Sequence, residues 1–233
     1  MIAKSRLEAD AAESALKELL ETGRLLALED GVQNAKSESL AIALPHWNAL
    51  QEKVFSLVGE YHVQFPLRRG IPREELKSRL KLAPKIFNAV LSYLVTRNLL
   101  LDSRGAVSSP GHEIQFDAQE QAKVKALMRK FESNPYATPS VKECQAEAGG
   151  EVINALIELG ELVAVSQEVI FRKTDYDAMV SKIKTEIGKN GQVTLAEIRD
   201  VLGTTRKYVQ ALLEHLDAVG VTMREGDARV LKK

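Results

Sequence analysis

The sequence contains one short pattern four times. Each copy reads as an amphipathic helix, a helix-ending residue, an apolar run and a turn. The four stretches are ALKELLETGRLLALEDGVQNA, AVLSYLVTRNLLLDSRGAVSS, NALIELGELVAVSQEVIF and ALLEHLDAVGVTMREGDARVL. Their helix-ending residues are Gly23, Asn98, Gly160 and Gly220, types that tolerate left-handed backbone at a helix C-cap. The separations of 75, 62 and 60 residues are too long for solenoid repeats and favour tandem miniature domains.

The last copy shows what each unit is expected to be. TDYDAMVSKIKTEIGKNG is typical of a helix, because Met179, Ile183 and Ile187 lie four residues apart. A very short strand follows, Thr194 caps a second helix, another threonine caps a third, and VGVTMREGDARVL forms a hairpin. This order predicts a winged helix, a variant of the helix-turn-helix. The fold class is therefore mainly α with small β wings, as tandem winged-helix domains in an extended array.

The repeat also places the domain boundaries. Copy 1 covers residues 1–45, copy 2 residues 46–114, copy 3 residues 115–173 and copy 4 residues 174–233. Copy 1 lacks the opening helix that the others have, since the chain begins just before the two helices predicted ahead of its helix-ending glycine. We therefore expect a truncated first domain and a fragment of a longer protein.

Charge differs from copy to copy. The whole chain has 32 cationic and 32 anionic residues, so a nucleic-acid partner has to be argued from local clusters. The net charges of copies 1 to 4 are −3, +4, −2 and +1, and copy 2 has 10 cations against 6 anions. The four copies are thus not expected to share one partner.

Other functions have little support in the residues. Cys144 is the only cysteine, which excludes an intrachain disulfide and fits a reducing compartment. No apolar run has the roughly 18 residues of a spanning helix, and the N-terminus lacks the apolar centre of a signal peptide. No phosphate-binding loop or metal-ligand spacing occurs. We expect a cytoplasmic protein without membrane contact, catalytic residues, metal or cofactor.

The third helix of copy 4 begins with two cations, Arg206 and Lys207. A helix N-terminus prefers anionic groups there, and in helix-turn-helix proteins this end meets the nucleic acid. A bound phosphate would relieve the conflict. The predicted RNA-binding residues of this helix start and of the following hairpin and tail are Thr204, Thr205, Arg206, Lys207, Tyr208, Gln210, Arg224, Gly226, Arg229 and Lys232.

A second basic patch lies in copy 2. The segment PLRRGIPREELKSRLKLAPK is the densest basic cluster of the chain and could contact several phosphates. The residues assigned to this patch are Arg68, Arg69, Arg73 and Lys77. For both clusters the residues alone also allow a solvated polar face with local ion pairs. A tandem winged-helix DNA-binding regulator and a protein-interaction scaffold stay open as alternative functions.

Two stretches carry a family resemblance. HWNALQEKVFSLVGEYHVQFPLRRGIPREELKSRL and GTTRKYVQALLEHLDAVGVTMREGDARVLKK are similar to the C-terminal part of bacterial selenocysteine-specific elongation factors. The matching residues of the first are His62, Pro66, Leu67, Arg68, Gly70, Glu74, Glu75 and Leu76. Those of the second are Arg206, Lys207, Tyr208, Leu212, Leu213, Glu214, Asp217, Thr222, Arg224, Gly226, Asp227, Arg229 and Leu231. Met223 departs from the family pattern in the wing.

The resemblance implies a function. Members of this family bind GTP and selenocysteinyl-tRNA through an N-terminal GTPase portion, and their winged helices hold a selenocysteine insertion (SECIS) hairpin in mRNA on the ribosome, at UGA codons. This chain lacks the GTPase portion. The resemblance therefore implies a monomeric RNA-binding arm that is not itself an enzyme, in which Arg206 and Lys207 contact phosphates of the hairpin.

Overall fold

The computed structural model describes residues 8–28 and 40–232. The contacts between its residues divide the chain into two units, Met1–Glu113 and Ile114–Lys233. The first unit thus contains copies 1 and 2, and the second contains copies 3 and 4.

The first unit is built from four helices and five short strands among its described residues. In chain order they are α1 (Ala9–Glu21), β1 (Leu25–Ala27), β2 (Ala41–Ala43), α2 (Leu44–Gln64), β3 (Ile71–Pro72), α3 (Arg73–Leu80), α4 (Pro84–Thr96), β4 (Leu101–Ser103) and β5 (Ala106–Ser108). Strands β1 and β2 form one antiparallel pair, and β3, β5 and β4 form a sheet in that order. Copy 2 is therefore a complete winged helix.

In the described part of the second unit, copies 3 and 4 each have three helices followed by a two-stranded wing. Its elements are α5 (Ala118–Ser133), α6 (Val141–Ala148), α7 (Gly150–Leu159), β6 (Leu162–Ala164), β7 (Ile170–Arg172), α8 (Lys173–Asn190), β8 (Val193–Thr194), α9 (Leu195–Leu202), α10 (Arg206–Ala218), β9 (Thr222–Glu225) and β10 (Ala228–Leu231). Strands β6 and β7 pair, and the other sheet has the order β8-β10-β9. The predicted mainly α fold with tandem winged helices is confirmed.

All four repeated helices end in the same backbone motif. Gly23, Asn98, Gly160 and Gly220 have φ values of +67°, +55°, +79° and +74°. In each case the N–H of this residue bonds the carbonyl three residues earlier, and the next N–H bonds the carbonyl five residues before it. This is the Schellman motif, which satisfies carbonyls left over at the helix end. The sequence repeat is therefore a repeated chain reversal that leads from helix into wing.

Two predictions about helix starts have different outcomes. Thr194 caps α9 as predicted. Its side chain accepts the N–H of Glu197, and the Glu197 carboxylate accepts the N–H of Thr194. Thr205 stands at the cap position of α10, but within the described chain its side chain makes no capping bond. The predicted threonine cap of the third helix is thus wrong.

Two helices were predicted ahead of Gly23. One of them is α1, and residues 1–7 lie outside the described residues.

Each unit has a hydrophobic core that crosses a predicted boundary between copies. In the first unit Leu28 of copy 1 is buried together with Trp47 and Val58 of α2. In the second unit Val169 of copy 3 belongs to one cluster with Ile183 of α8 and the apolar side of α10. Burial of such side chains is the main stabilising contribution to a small domain, so the copies are held together in pairs. The boundaries drawn from the repeat remain predictions.

In the described part of the chain, no helix is both long enough and apolar enough to cross a bilayer.

Candidate nucleic-acid interface

The start of α10 is cationic and is not capped by a side chain. Arg206 and Lys207 occupy its first two positions, there is no acidic residue in the first turn, and in the described chain Thr205 makes no capping bond. Backbone N–H groups at such a helix end carry partial positive charge and favour an anion. The helix start therefore has the local chemistry of a phosphate contact.

A shallow depression lies between α10 and the wing of copy 4. Its volume is about 340 Å³, and Arg206 and Gln210 of α10 line it together with Arg224 and Arg229 of the wing. Glu214 and Asp227 are the acidic residues at its edge. Helix and wing residues that are about twenty positions apart in the sequence thus share one surface.

Arg206 and Arg224 are the exposed cations of this depression. Among the described residues Arg206 is exposed and has no hydrogen-bond or ion-pair partner. Arg224 donates to the Gly226 carbonyl at 2.9 Å and lies 3.9 Å from Asp227, and both of these side chains are largely exposed. Exposed pairs of this kind contribute little to stability, so both guanidinium groups are available to a phosphate.

Arg229 was expected to contact RNA, but it is buried. It is only 5 % exposed, and its Nε donates to Asp217 at 3.1 Å. The Thr222 hydroxyl donates to the other oxygen of the same carboxylate. Arg229 and Thr222 therefore attach the two wing strands to the C-terminal end of α10, because a buried guanidinium requires a charged partner. This side chain orients the wing instead of presenting its charge to solvent.

Thr204 and Tyr208 are directed at copy 3. The Thr204 hydroxyl donates to the Tyr136 carbonyl, and the Tyr208 hydroxyl donates to the Thr138 carbonyl at 2.8 Å. Both acceptors belong to the segment between α5 and α6. The two hydroxyls were predicted to contact RNA, and in the structure each donates to the backbone of the preceding copy, so their contact with RNA stays a prediction. They fix the start of α10 against copy 3.

Lys207 also faces copy 3. Its Nζ lies 3.1 Å from Glu168, which belongs to the turn between β6 and β7. Arg206 and Lys207, adjacent in the sequence, therefore differ in surroundings: Arg206 lines the depression beside its own wing, and Lys207 lies beside an acid of copy 3.

The remaining predicted residues lie on the exposed side of copy 4. Thr205, Gln210, Gly226 and Lys232 are all exposed. Gln210 donates to Glu214 within α10 at 2.9 Å. Gly226 has a φ of +60° in the turn of the wing, where left-handed backbone favours glycine. Their contact with RNA stays a prediction.

The second basic patch is engaged in contacts within copy 2. Arg68 donates to the Tyr61 hydroxyl at 3.2 Å and lies 4.3 Å from the centre of the Phe65 ring. Arg73 bonds Asp102 and Asn88, and Lys77 bonds Glu74. Arg69 is half-buried. The cations of this patch are thus largely committed to the fold of copy 2, and a polyanion contact here stays a prediction.

One pair of side chains was missed from the sequence. His62 and His112 are 50 positions apart in the sequence, yet their rings stack with centroids 3.6 Å apart. His62 Nε2 accepts the Ser109 N–H at 3.1 Å, and burial, with a smaller contribution from the charge of His112, lowers the pKa of His62 to about 4. His62 lies in α2, and His112 lies in the segment that follows β5. The wide separation in the sequence carried no signal of this contact.

The described residues contain no group of three or more His, Cys, Asp or Glu side chains that could hold a metal ion. Burial raises the pKa of Cys144 to about 11, and neighbouring Glu143 adds to the effect. A thiol with this pKa is almost wholly protonated near neutral pH and is a poor nucleophile.

The fold defines a tandem winged-helix protein, in which copy 4 combines an uncapped cationic helix start with a cationic wing. Residues 55–108 and residues 185–231 each match a family model described as the winged helix of elongation factor SelB. These two stretches are similar to the winged helices of the SelB family, and the resemblance predicted from the sequence is confirmed.

Relatives extend the match over most of the chain. This chain is 29% identical to the selenocysteine-specific elongation factor of Desulfomicrobium baculatum, in an alignment that covers 76% of this chain and 29% of the relative. It is 25% identical to the factor of Haemophilus influenzae, covering 93% and 37%. A solved structure of the mRNA-binding domain of SelB from E. coli in complex with SECIS RNA is 23% identical with a TM-score of 0.43, covering 51% of this chain and 100% of that one. The chain spans about a third of the length of these curated relatives.

Proposed function

We propose that this chain is the RNA-binding arm of a selenocysteine-specific elongation factor, and that copy 4 binds a SECIS-type hairpin in mRNA. The SelB-family winged helices and the relatives support this assignment. The observation that carries it is the depression between α10 and its wing, which is lined by the exposed cations Arg206 of the helix and Arg224 of the wing.

The geometry suits a hairpin better than a regular RNA duplex. The deep, narrow major groove of A-form RNA does not admit a helix, so sequence-specific binding uses loops with exposed bases and contacts to the backbone. The depression of about 340 Å³, lined by Arg206 and Arg224, could hold a sharply turned RNA backbone or a single unstacked base. One small cationic surface is then sufficient, although copy 4 has a net charge of only +1.

The wider role follows from the family. We infer that the whole protein binds GTP and selenocysteinyl-tRNA through a portion that lies outside these winged helices, and that it acts at the ribosome. We also infer that the arm works in the cytoplasm as a monomer and requires no cofactor of its own.

Selection from a pool of RNA hairpins with randomised loops, with duplex DNA as competitor, tests the proposal. Enrichment of one loop consensus that the full chain binds more tightly than a scrambled loop is the expected result. Preference for duplex DNA would indicate a regulator of transcription instead. Absence of any binding that depends on salt would indicate a protein-interaction scaffold, because phosphate contacts release counterions.

A further inference from the structure

The turn of the copy 3 wing holds an acid beside the start of α10. Glu168 lies in this turn, and one of its carboxylate oxygens is 3.1 Å from Lys207 Nζ. The Ser166 hydroxyl oxygen accepts the backbone N–H groups of Glu168 and Val169, at 3.2 and 3.0 Å. Bonds of this type define the shape of a short turn. The position of the Glu168 backbone is therefore set by copy 3 itself and does not depend on Lys207.

This turn forms one side of a second depression along α10. Its volume is about 410 Å³, and Glu168 of the turn and Lys207, Gln210 and Glu214 of α10 line it. One flank of α10 thus faces its own wing, where Arg206 and Arg224 are exposed, and the other faces the copy 3 wing, where Glu168 pairs with Lys207. Gln210 and Glu214 belong to both flanks.

Copy 3 places further negative charge near Lys207. The pKa of Glu143, in the first turn of α6, is lowered mainly by hydrogen bonds with Ser140, and the charge of Lys207 contributes to the lowering. A cation in the first turn of a helix is unfavourable next to the helix dipole. Glu168 offsets this repulsion in the free protein, as a bound phosphate would.

We propose that Glu168 sets the RNA affinity of copy 4 by acting as an intramolecular counter-ion for Lys207, and that an RNA phosphate exchanges with it on binding. This inference rests on the proposed RNA-binding function of copy 4. The exchange is feasible because Lys207 and Glu168 are 49% and 75% exposed, so the carboxylate returns to water without a burial penalty. The affinity gained from the Lys207–phosphate contact is thereby reduced by the lost Lys207–Glu168 contact.

The test measures binding of the full chain to the hairpin enriched in the loop selection. Glu168→Gln frees Lys207 and should tighten binding about two- to five-fold at low salt, the range for an exposed ion pair, and less at high salt. Glu161→Gln is the matched control, since it removes the same charge from an exposed position at the opposite end of the same hairpin. We expect this control to keep the wild-type affinity.

A second background separates exchange from simple repulsion of RNA by Glu168. With Lys207→Ala there is no cation to release, so adding Glu168→Gln should then gain little. An equal gain in both backgrounds overturns the exchange. Wild-type affinity in the Glu168→Gln single variant also overturns it, while the proposed RNA function stands. Failure of the wild-type chain to bind any hairpin of the pool overturns both.

Discussion

Copies 2 and 4 contain the same helix-turn-helix in the same register. Helices α4 and α10 each have 13 residues and begin with Pro84 and Arg206. The second position is a lysine in both, Lys85 and Lys207, and the fifth is an amide, Asn88 in one and Gln210 in the other. The two copies therefore offer the same framework for a recognition surface.

They differ in where the wing is attached to the helix. In copy 2, Arg73 of α3 bonds Asp102 on β4 and Asn88 on α4. In copy 4 the first residue of the corresponding helix is Leu195, and the attachment is made by Arg229 and Asp217, at the far end of α10. In copy 2 the Asn88 side chain on the surface of α4 is thus bonded to Arg73. In copy 4 the Arg229–Asp217 pair attaches the wing at the other end of the helix, and Arg206 and Arg224 stay exposed. The two copies thus differ in where a structural ion pair lies relative to the start of the third helix.

The largest expected effect is on stability and concerns these two attachments. Arg229→Ala removes a side chain that is only 6% exposed and leaves Asp217 without its charged partner, which should lower the free energy of unfolding of the second unit by about 2–4 kcal/mol. Arg73→Ala removes a more exposed arginine and should cost the first unit about 0.5–1 kcal/mol. Urea denaturation measures both. Arg224→Ala controls for the charge of the copy 4 wing, and equal losses for Arg229 and Arg73 would remove the distinction.

A second prediction contrasts the two helix starts in RNA binding. Arg206→Ala should weaken binding roughly ten-fold for matched and scrambled loops alike, the size of one hydrogen bond to a charged group. It should also lower the slope of log affinity against log salt by about 1, because a phosphate contact is lost. Lys85→Ala, which removes a cation from the first turn of α4 in copy 2, should alter neither quantity. Filter binding at several salt concentrations measures both quantities. An unchanged affinity and an unchanged slope for Arg206→Ala would show that Arg206 does not contact the RNA.

The smallest effect concerns pH and the stacked histidines of copy 2. The pKa of His62 is about 4 in the folded chain and ordinarily 6.5, so between these values the unfolded chain binds a proton that the folded chain does not. Stability is therefore lost as the pH falls from about 6.5 towards 4. Because His62 is partly exposed, we expect the first unit to lose about 1 kcal/mol between pH 7 and pH 5.

The control for this prediction is His62→Gln, which keeps an acceptor for the Ser109 N–H. The variant should lose less stability over the same pH interval than the wild-type chain in urea denaturation. Burial also lowers the pKa of His215 in copy 4, so the difference between wild type and variant is the relevant quantity. An identical pH dependence of the two would show that His62 does not titrate as its surroundings imply.

Local features of the fold were readable from the sequence. The repeat, the four helix ends and the Thr194 cap depend on residues within a few positions of one another, and local backbone chemistry dictates them. The absence of a capping bond at Thr205 was not predicted, because the residue type permits a cap without requiring one. The exposure of Arg206 and Lys207 agrees with helical spacing, because the buried residues Val209, Leu212, Leu213 and Leu216 form an apolar stripe on the opposite face of α10.

Contacts between distant positions were not readable. Thr204 and Tyr208 bond carbonyls 68 and 70 residues earlier, and a threonine or tyrosine at a helix start looks the same whether it faces RNA or another domain. Arg229 had the same difficulty, since an arginine in a wing can be a phosphate contact or the partner of a buried acid. Which of these holds depends on packing between elements, and no local pattern encodes it.

The same Schellman motif precedes the wing in all four copies, so the chain leaves each helix with the same backbone geometry. Because each Schellman motif closes before the wing begins, it sets the exit direction of the chain independently of the length and charge of the hairpin after it. Copies 2 and 4 each connect their wing strands by two residues, Arg104-Gly105 in one and Gly226-Asp227 in the other, and copy 3 uses the longer stretch 165–169. The turn of a wing can thus differ in length between copies while the helix end before it stays the same. The turn between the wing strands is therefore the part of each copy that differs most freely in length and charge, because the helix end and the strand attachments are set apart from it.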